Sequence, residues 1–301
     1  ANPTGPMHMG NARGGALGDC LAAVLDKAGY NAWREFYVND AGNQIEKFGC
    51  SLEARYLQIF KGDEIEFPED GYQGEDIKDL AKEYADLNGD SLVNVSAEER
   101  KKALVDYALP KNIKKMQADM EKYKIFYDKW FFESELHKSG AVKAVVDLLT
   151  KKGLTYEKDG AVWYKNKEVL TQKLLKEGKS QKYIDNLELK DDVLIRQNGN
   201  PTYFTADIAY HKNKFDRGFT TLIDVWGADH HGHVMRMKGA MDAIGYDGDK
   251  LNVVLMQLVK LVKDGELVRM SKRTGKAIQL GDLLDEVPVD SARFLFNTKE
   301  A

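Results

Sequence analysis

Asn2-Pro3-Thr4-Gly5-Pro6-Met7-His8-Met9-Gly10-Asn11-Ala12-Arg13-Gly14 is the stretch that decides how the rest of the chain is read. Pro3 and Pro6 lack an amide proton and fix φ, so this segment is a stiff loop, not a helix interior or a central strand. Past Gly10 come small residues (Ala12, Gly14, Gly15, Ala16, Gly18) and an apolar stripe of Leu17, Leu21, Val24, Leu25 and Ala28, a helix pattern. A helix whose first turn carries little side chain lets a flat ligand lie against backbone. Its unpaired N–H groups and the positive end of its dipole favour phosphate. His8 adds a donor whose charge is adjustable near neutral pH. Taken alone, such a turn equally suits a tight strand-to-helix connection.

Working outward, residues 33–38 are aromatic and β-branched, which predicts a strand, and Gly29 marks the helix stop before it. Asn39-Asp40-Ala41-Gly42 opens a helix to about residue 60. Strand, turn and helix at this spacing predict a mononucleotide-binding α/β half on a parallel sheet. Residues 61–90 break the rhythm. They are acidic and turn-rich, with a short helix at 75–87, and read as an insertion covering a sheet edge. Ser96 with Glu99 is a capping-box signal for a helix that meets Pro110 and resumes to Tyr123. A strand at 126–133, a helix at 139–151 and a hairpin about Asp159-Gly160 follow. After the lysine-rich, polar segment 165–192, residues 193–196 and Tyr203-Phe204 read as a second hairpin, followed by a helix at 205–215. Strand 220–226, helix 229–244 and strand 251–256 then look like the second half of the nucleotide fold. The expected class is α/β: a Rossmann-like nucleotide-binding fold with a parallel sheet, split by insertions.

The totals bound the function. The chain has 301 residues, 43% apolar and 31% charged, with a net charge of −4. No apolar run approaches the ~20 residues of a membrane span, and no signal peptide is visible. A slightly acidic balance argues against a strong general grip on nucleic acid. Cys20 and Cys50 lack metal-ligand spacing and read as buried apolar filler in a reducing cytoplasm.

Three further constellations carry chemistry. Val268-Arg269-Met270-Ser271-Lys272-Arg273-Thr274-Gly275-Lys276 places four cations within eight residues, beyond a hairpin tip at 263–266. Cations on a loop can close over phosphoryl charge as it develops, although most such runs are solvated surface. Trp226-Gly227-Ala228-Asp229-His230-His231-Gly232-His233 falls at the C-terminal end of a predicted strand, the edge where open parallel sheets bind ligands. Its three histidines have no partner at zinc-site spacing, so no metal ligand is assigned. Tyr203 and Asp207 stand four apart, on one face of a helix. A carboxylate beside a phenol suits a planar guanidinium, and an ordinary helix-capping pair is the bland alternative.

Pro6-Met7-His8-Met9-Gly10-Asn11 resembles the first signature of the class I aminoacyl-tRNA synthetases, and the longer run from Asn2 to Gly14 resembles its arginyl version. Asn11 stands where many members carry a second histidine; an amide donates a hydrogen bond but holds no charge. Met270-Ser271-Lys272 resembles the second signature, with Arg269 in place of its first lysine. The resemblance covers the chain to about residue 296 and is weakest over 61–90 and 165–192. It implies the catalytic domain of a bacterial arginyl-tRNA synthetase. The chain would then divide into a first half at 1–60, an insertion at 61–95, the remainder of that half at 96–152, a connective insertion at 153–202, a second half at 203–258, and the signature loop with the start of a helical region at 259–301. Both ends read as cut, so the family's N-terminal and anticodon-binding domains are expected to be absent.

The resemblance further implies ATP-dependent ligation of L-arginine to tRNA(Arg) through arginyl-adenylate. It assigns catalysis to His8, Asn11, Arg269 and Lys272. ATP would be held by His8, Gly10, Gly227, Asp229, His230, Met270, Ser271 and Lys272. Arginine would be held by Asn2, Asn11, Asn39, Tyr203, Asp207 and Asp229, with Asp40 a weaker candidate. Mg²⁺ would accompany ATP without a dedicated protein cage, and the protein would act as a cytoplasmic monomer away from membranes. The alternatives are another class I amino-acid-activating enzyme and a non-catalytic arginine- or tRNA-binding module.

Overall fold

The computed structural model describes residues 1–257, 259, 261–263, 266–268 and 279–298, with 261–263 and 266–268 described by their backbone. The chain divides into two compact units: Ala1–Phe132 with the described part of Leu258–Glu300, and Glu133–Gln257.

The first unit begins with α1 (Met9–Lys27), β1 (Glu35–Val38), α2 (Asn43–Lys61), α3 (Glu75–Asn88), α4 (Ala97–Lys122) and β2 (Lys129–Phe132). β1 and β2 pair in parallel, Glu35 opposite Lys129 through Val38 opposite Phe132. The Ala1 nitrogen donates to the Tyr37 carbonyl at 2.6 Å, and Asn39 N–H donates to the Ala1 carbonyl at 2.9 Å. Those bonds use residues alternate to the ones facing β2, so the start of the chain runs along the opposite edge of β1. Ser96 Oγ accepts the Glu99 N–H at 3.2 Å, and α4 then runs unbroken through Pro110 instead of stopping and resuming. Pro110 is exposed, so the carbonyl that loses its donor there can turn to water. Phe48, Leu52, Tyr56, Ile77, Leu80 and Leu104 form a core among α2, α3 and α4.

The second unit contains α5 (Glu133–Lys138), α6 (Ala141–Lys151), β3 (Thr155–Lys158), β4 (Ala161–Tyr164), α7 (Asn166–Lys176), α8 (Gln181–Asp185), β5 (Asp192–Ile195), α9 (Tyr203–Asp216), β6 (Leu222–Gly227), α10 (His231–Ile244) and β7 (Leu251–Met256). The β3–β4 turn has Asp159 at φ 52° and Gly160 at φ 71°, the positive pair that a two-residue hairpin requires. The second expected hairpin is different. β5 pairs with β4, and the Asn198-Gly199 turn returns only to a single bridge between Ile195 and Pro201. Tyr203 and Phe204 are the first turn of α9, because Thr202 is its extended N-cap. β6 and β7 pair in parallel, Leu222 opposite Leu251 through Gly227 opposite Met256, with α10 as the crossover. Each unit thus carries a parallel strand pair of the α/β kind.

The chain then returns to the first unit through the antiparallel hairpin β8 (Leu261–Lys263) and β9 (Glu266–Val268), followed by α11 (Leu280–Glu286) and α12 (Val289–Asn297). Leu280 and Leu284 of α11 join Met7, Ala12, Ala16, Met116 and Met120 in a second core beneath α1. Cys20 is only half-buried and polar in its contacts, with the Asn297 amide nitrogen at 3.3 Å from its sulfur, so it is not apolar filler.

Candidate active site

In the first unit the site is built around the start of α1. His8 is the N-cap, with extended backbone at φ −115° and ψ 169°. Its Nδ1 accepts the Gly10 N–H at 3.1 Å, which places the proton of a neutral ring on Nε2. Asn11 answers in the other direction, its Oδ1 accepting the His8 N–H at 3.3 Å. At Gly10 a Cβ would lie 2.9 Å from His8 Cε1, so a larger residue would push the imidazole off the helix start. The signature histidine therefore closes its own helix. A ligand phosphate that takes the Gly10 N–H must displace the ring, which frees Nδ1 and turns a local cap into a ligand contact.

Gln279 makes a backbone bridge to His8, and Leu280 N–H donates to the Met7 carbonyl at 2.8 Å. The chain that leaves the second signature is thus fastened to the first one. Arg269, Met270, Ser271 and Lys272 lie outside the described residues. Asn39 stands just past the C-terminal end of β1, where its N–H meets the carbonyl of Ala1, the residue before Asn2, at 2.9 Å. Asp40 follows Asn39 at the same strand end.

In the second unit, Tyr203 opens α9 and Asp207 lies one turn on. The pair does not cap the helix, since the N-cap is Thr202. Asp207 Oδ2 instead meets His233 Nε2 of α10 at 2.9 Å. Gly227 ends β6, and Asp229 and His230 occupy the short 3-10 turn after it. A Cβ at Gly227 would collide with the Asp229 carboxylate, so this glycine makes room for that side chain. Asp229 and His230 are well exposed, at 65% and 59% of their side-chain surface, which leaves them open to a ligand. The Trp226 ring lies between the groups, 5.4 Å from the His233 ring and 6.2 Å from that of His230.

Beneath this surface lies a buried charged group that sequence reasoning missed. His211 Nε2 meets Asp224 Oδ2 at 2.5 Å, and Lys214 Nζ donates to Asp224 Oδ1 at 2.7 Å. His211 Nδ1 reaches the Asp207 carbonyl at 2.7 Å, tying the group to the α9 turn that carries Asp207. Burial pushes the Asp224 carboxyl up, but the Lys214 ammonium and the His211 ring outweigh that and hold it well below the usual carboxylate range. Asp192 behaves oppositely: burial raises it, and Arg236, 2.5 Å away, offsets this only in part. His233 stood in the quoted histidine cluster, but nothing in the sequence pointed it at Asp207. Among the described residues, no group of three or more His, Cys, Asp or Glu is placed to hold a metal ion. No described helix is long and apolar enough to cross a membrane.

Comparison with known proteins bears on this arrangement. A family model described as tRNA synthetases class I (R), catalytic domain, matches residues 1–301. The chain is 58% identical over 301 residues to an arginine–tRNA ligase of Ruminiclostridium cellulolyticum, covering 99% of this chain and 50% of that protein. It is 60% identical over 300 residues to the arginine–tRNA ligase of Caldanaerobacter subterraneus, with the same coverage of 99% and 50%. The chain thus spans about half the length of the curated relatives it matches. A crystal structure from Campylobacter jejuni, assigned as an arginyl-tRNA synthetase, superposes with a TM-score of 0.82 at 37% identity, over 100% of this chain and 61% of that one. The arginyl-tRNA synthetase of Thermus thermophilus, at 19% identity, shares the fold with a TM-score of 0.65 over 98% of this chain and 55% of that one.

Proposed function

Because this chain belongs to the family of class I tRNA synthetase catalytic domains of the arginyl type, we propose that it activates L-arginine with ATP and passes the arginyl group to tRNA(Arg). What carries the reading is the match to that family along the full 301 residues. In the first step an arginine carboxylate oxygen attacks the α-phosphorus of ATP in line. The new P–O bond forms as the bond to the β-phosphate bridging oxygen breaks, giving arginyl-adenylate and pyrophosphate. In the second step a hydroxyl of the terminal tRNA ribose takes the arginyl group, and AMP leaves. The protein's part is positioning and charge stabilisation, without a covalent nucleophile.

His8 and the α1 amides take the phosphates, the imidazole swinging off Gly10 as they arrive. Lys272 and Arg269, with Met270 and Ser271, meet the charge that develops during the transfer. Gly227, Asp229 and His230 line the adenosine side at the end of β6. Tyr203 and Asp207 receive the guanidinium, which needs an acceptor-only partner. Asn2, Asn11, Asn39 and Asp229 also take part in binding arginine. Mg²⁺ arrives with ATP. The protein works as a monomer in the cytoplasm, with tRNA as its macromolecular substrate.

The test is ATP–pyrophosphate exchange with each amino acid in turn, with and without tRNA(Arg). Exchange with arginine alone is expected, and exchange with a different amino acid would replace the assignment. Asp207→Asn sharpens it. The amide keeps the size but removes the charge and points a donor at donors, so arginine binding should weaken by about 2–5 kcal/mol while ATP binding holds. Undiminished arginine binding by calorimetry would remove Asp207 from the site.

A further inference from the structure

Asp207 and His233 belong to different helices, α9 and α10, and meet at 2.9 Å between Oδ2 and Nε2. The imidazole is braced by two rings. Phe204 stands edge-on to it with centroids 5.6 Å apart, and Trp226 lies tilted at 5.4 Å. The His233 side chain is 16% exposed and that of Asp207 32%, so a sheltered donor grips a carboxylate that still reaches solvent. A carboxylate near the start of a helix otherwise samples several rotamers, and each must be given up when a ligand is gripped.

The other charges nearby are already engaged. Arg236, three residues along α10, meets Asp192 Oδ1 at 2.5 Å, and its guanidinium sits 4.9 Å over the Phe204 ring. Asp192 thereby holds the chain's own guanidinium in a different pairing from that of Asp207. His211, held on its other ring nitrogen by Asp224, contacts the same turn at the Asp207 carbonyl, not at its carboxylate.

We propose that His233 is a positioning residue for substrate specificity: its Nε2–H holds Oδ2 of Asp207 so that Oδ1 is presented to the arginine guanidinium. This rests on the reading of Asp207 as the guanidinium acceptor. His233 touches no reacting atom. It fixes the direction from which a planar, forked cation can be received, and a lysine ammonium, which has no plane, gains less from that fixing.

The experiment is calorimetry with arginine and with ATP, separately, on the parent and on Asp207→Asn, His233→Phe, His233→Asn and His233→Gln. Phenylalanine keeps the ring stack and deletes the donor. Asparagine is polar but too short to reach, and glutamine brings an amide N–H back within reach. Arginine binding should weaken about tenfold or more in the phenylalanine and asparagine variants and stay within about threefold in the glutamine variant, with ATP binding unchanged in all three, as loss and rescue of one charge-assisted hydrogen bond require. Combining His233→Phe with Asp207→Asn should add less than about threefold to the loss from Asp207→Asn alone, because coupled groups are not additive. If Asp207→Asn loses arginine while His233→Phe and His233→Asn bind it like the parent, the positioning role falls and the substrate reading stands. If glutamine fails as badly as phenylalanine, the donor is not what His233 contributes, and the proposal falls. If Asp207→Asn itself binds arginine normally, the substrate reading fails and takes this inference with it.

Discussion

Histidine is used in opposite ways at the start of α1 and in the cluster of α9, β6 and α10. His8 bonds within its own turn: the Gly10 N–H donates to it from two residues away, and its N–H is answered by Asn11, three residues away. His211 and His233 reach across the fold, to Asp224 and Asp207, 13 and 26 residues distant in the chain. The first arrangement costs little to assemble and little to open, which suits the exchange of a cap for a phosphate that is proposed at His8. The second exists only when two helices and a strand are already packed. The first region should therefore govern turnover, and the second stability and selectivity.

The largest expected effect breaks the buried group. Asp224→Asn leaves the Lys214 ammonium buried without its carboxylate, which should destabilise the protein by about 3–5 kcal/mol, the usual result of removing one partner of a buried pair. The pH dependence follows from the lowered carboxyl. Stability from a carboxyl whose native pKa lies below its unfolded value is fully present above that unfolded value, near 3.8, begins to decline below it, and is lost as the pH falls on through the lower native value. Urea denaturation of the parent should therefore weaken below about pH 4, and the variant should show a flatter acid limb. A loss under about 1 kcal/mol at pH 7 would class the group with weak surface pairs.

The contrast explains what could be read from the chain. α1, β1, α2 and the Ser96 cap were legible because their signals are local: apolar periodicity, a β-branched run, a serine three residues before a glutamate. The Asp159-Gly160 turn was legible for the same reason, since two positive φ values call for those residues. Tyr203 and Phe204 were misread as strand because aromatic residues favour sheets, and the preference was overridden by Thr202 starting a helix. Of the site, His8, Gly10 and Asn11 were visible as a motif. The Asp207–His233 contact and the Asp224 group were not, since nothing in the sequence says which helix packs on which.

Next in size is Lys272, whose role rests on the second signature and whose position lies outside the described residues. If its ammonium meets phosphate oxygens chiefly as charge develops, Lys272→Ala should lower the exchange rate by about 2–4 kcal/mol in barrier and barely alter ATP affinity. Single-turnover rates beside ATP titrations separate the two. Weakened ATP binding with an unchanged rate would make it a ground-state contact. It would also move the turnover function away from the local-motif side of the comparison.

The smallest effect is the sharpest test, because its two halves have opposite signs. Asn11 Oδ1 accepts the His8 N–H at 3.3 Å, and the first turn of α1 holds no acidic residue. Asn11→Asp keeps the acceptor and adds a negative charge at the positive end of the helix dipole, so the fold should gain about 0.3–1 kcal/mol. The same charge stands where ATP phosphates are proposed to arrive, so ATP affinity should fall, and fall further as ionic strength is lowered and screening is lost. Urea denaturation and ATP titrations at two salt concentrations measure both halves. A variant that is less stable would mean that Asn11 does not cap α1 through that oxygen. A variant that is more stable but binds ATP as the parent does would mean that the start of α1 is a structural turn only, and that His8 and Gly10 meet no phosphate.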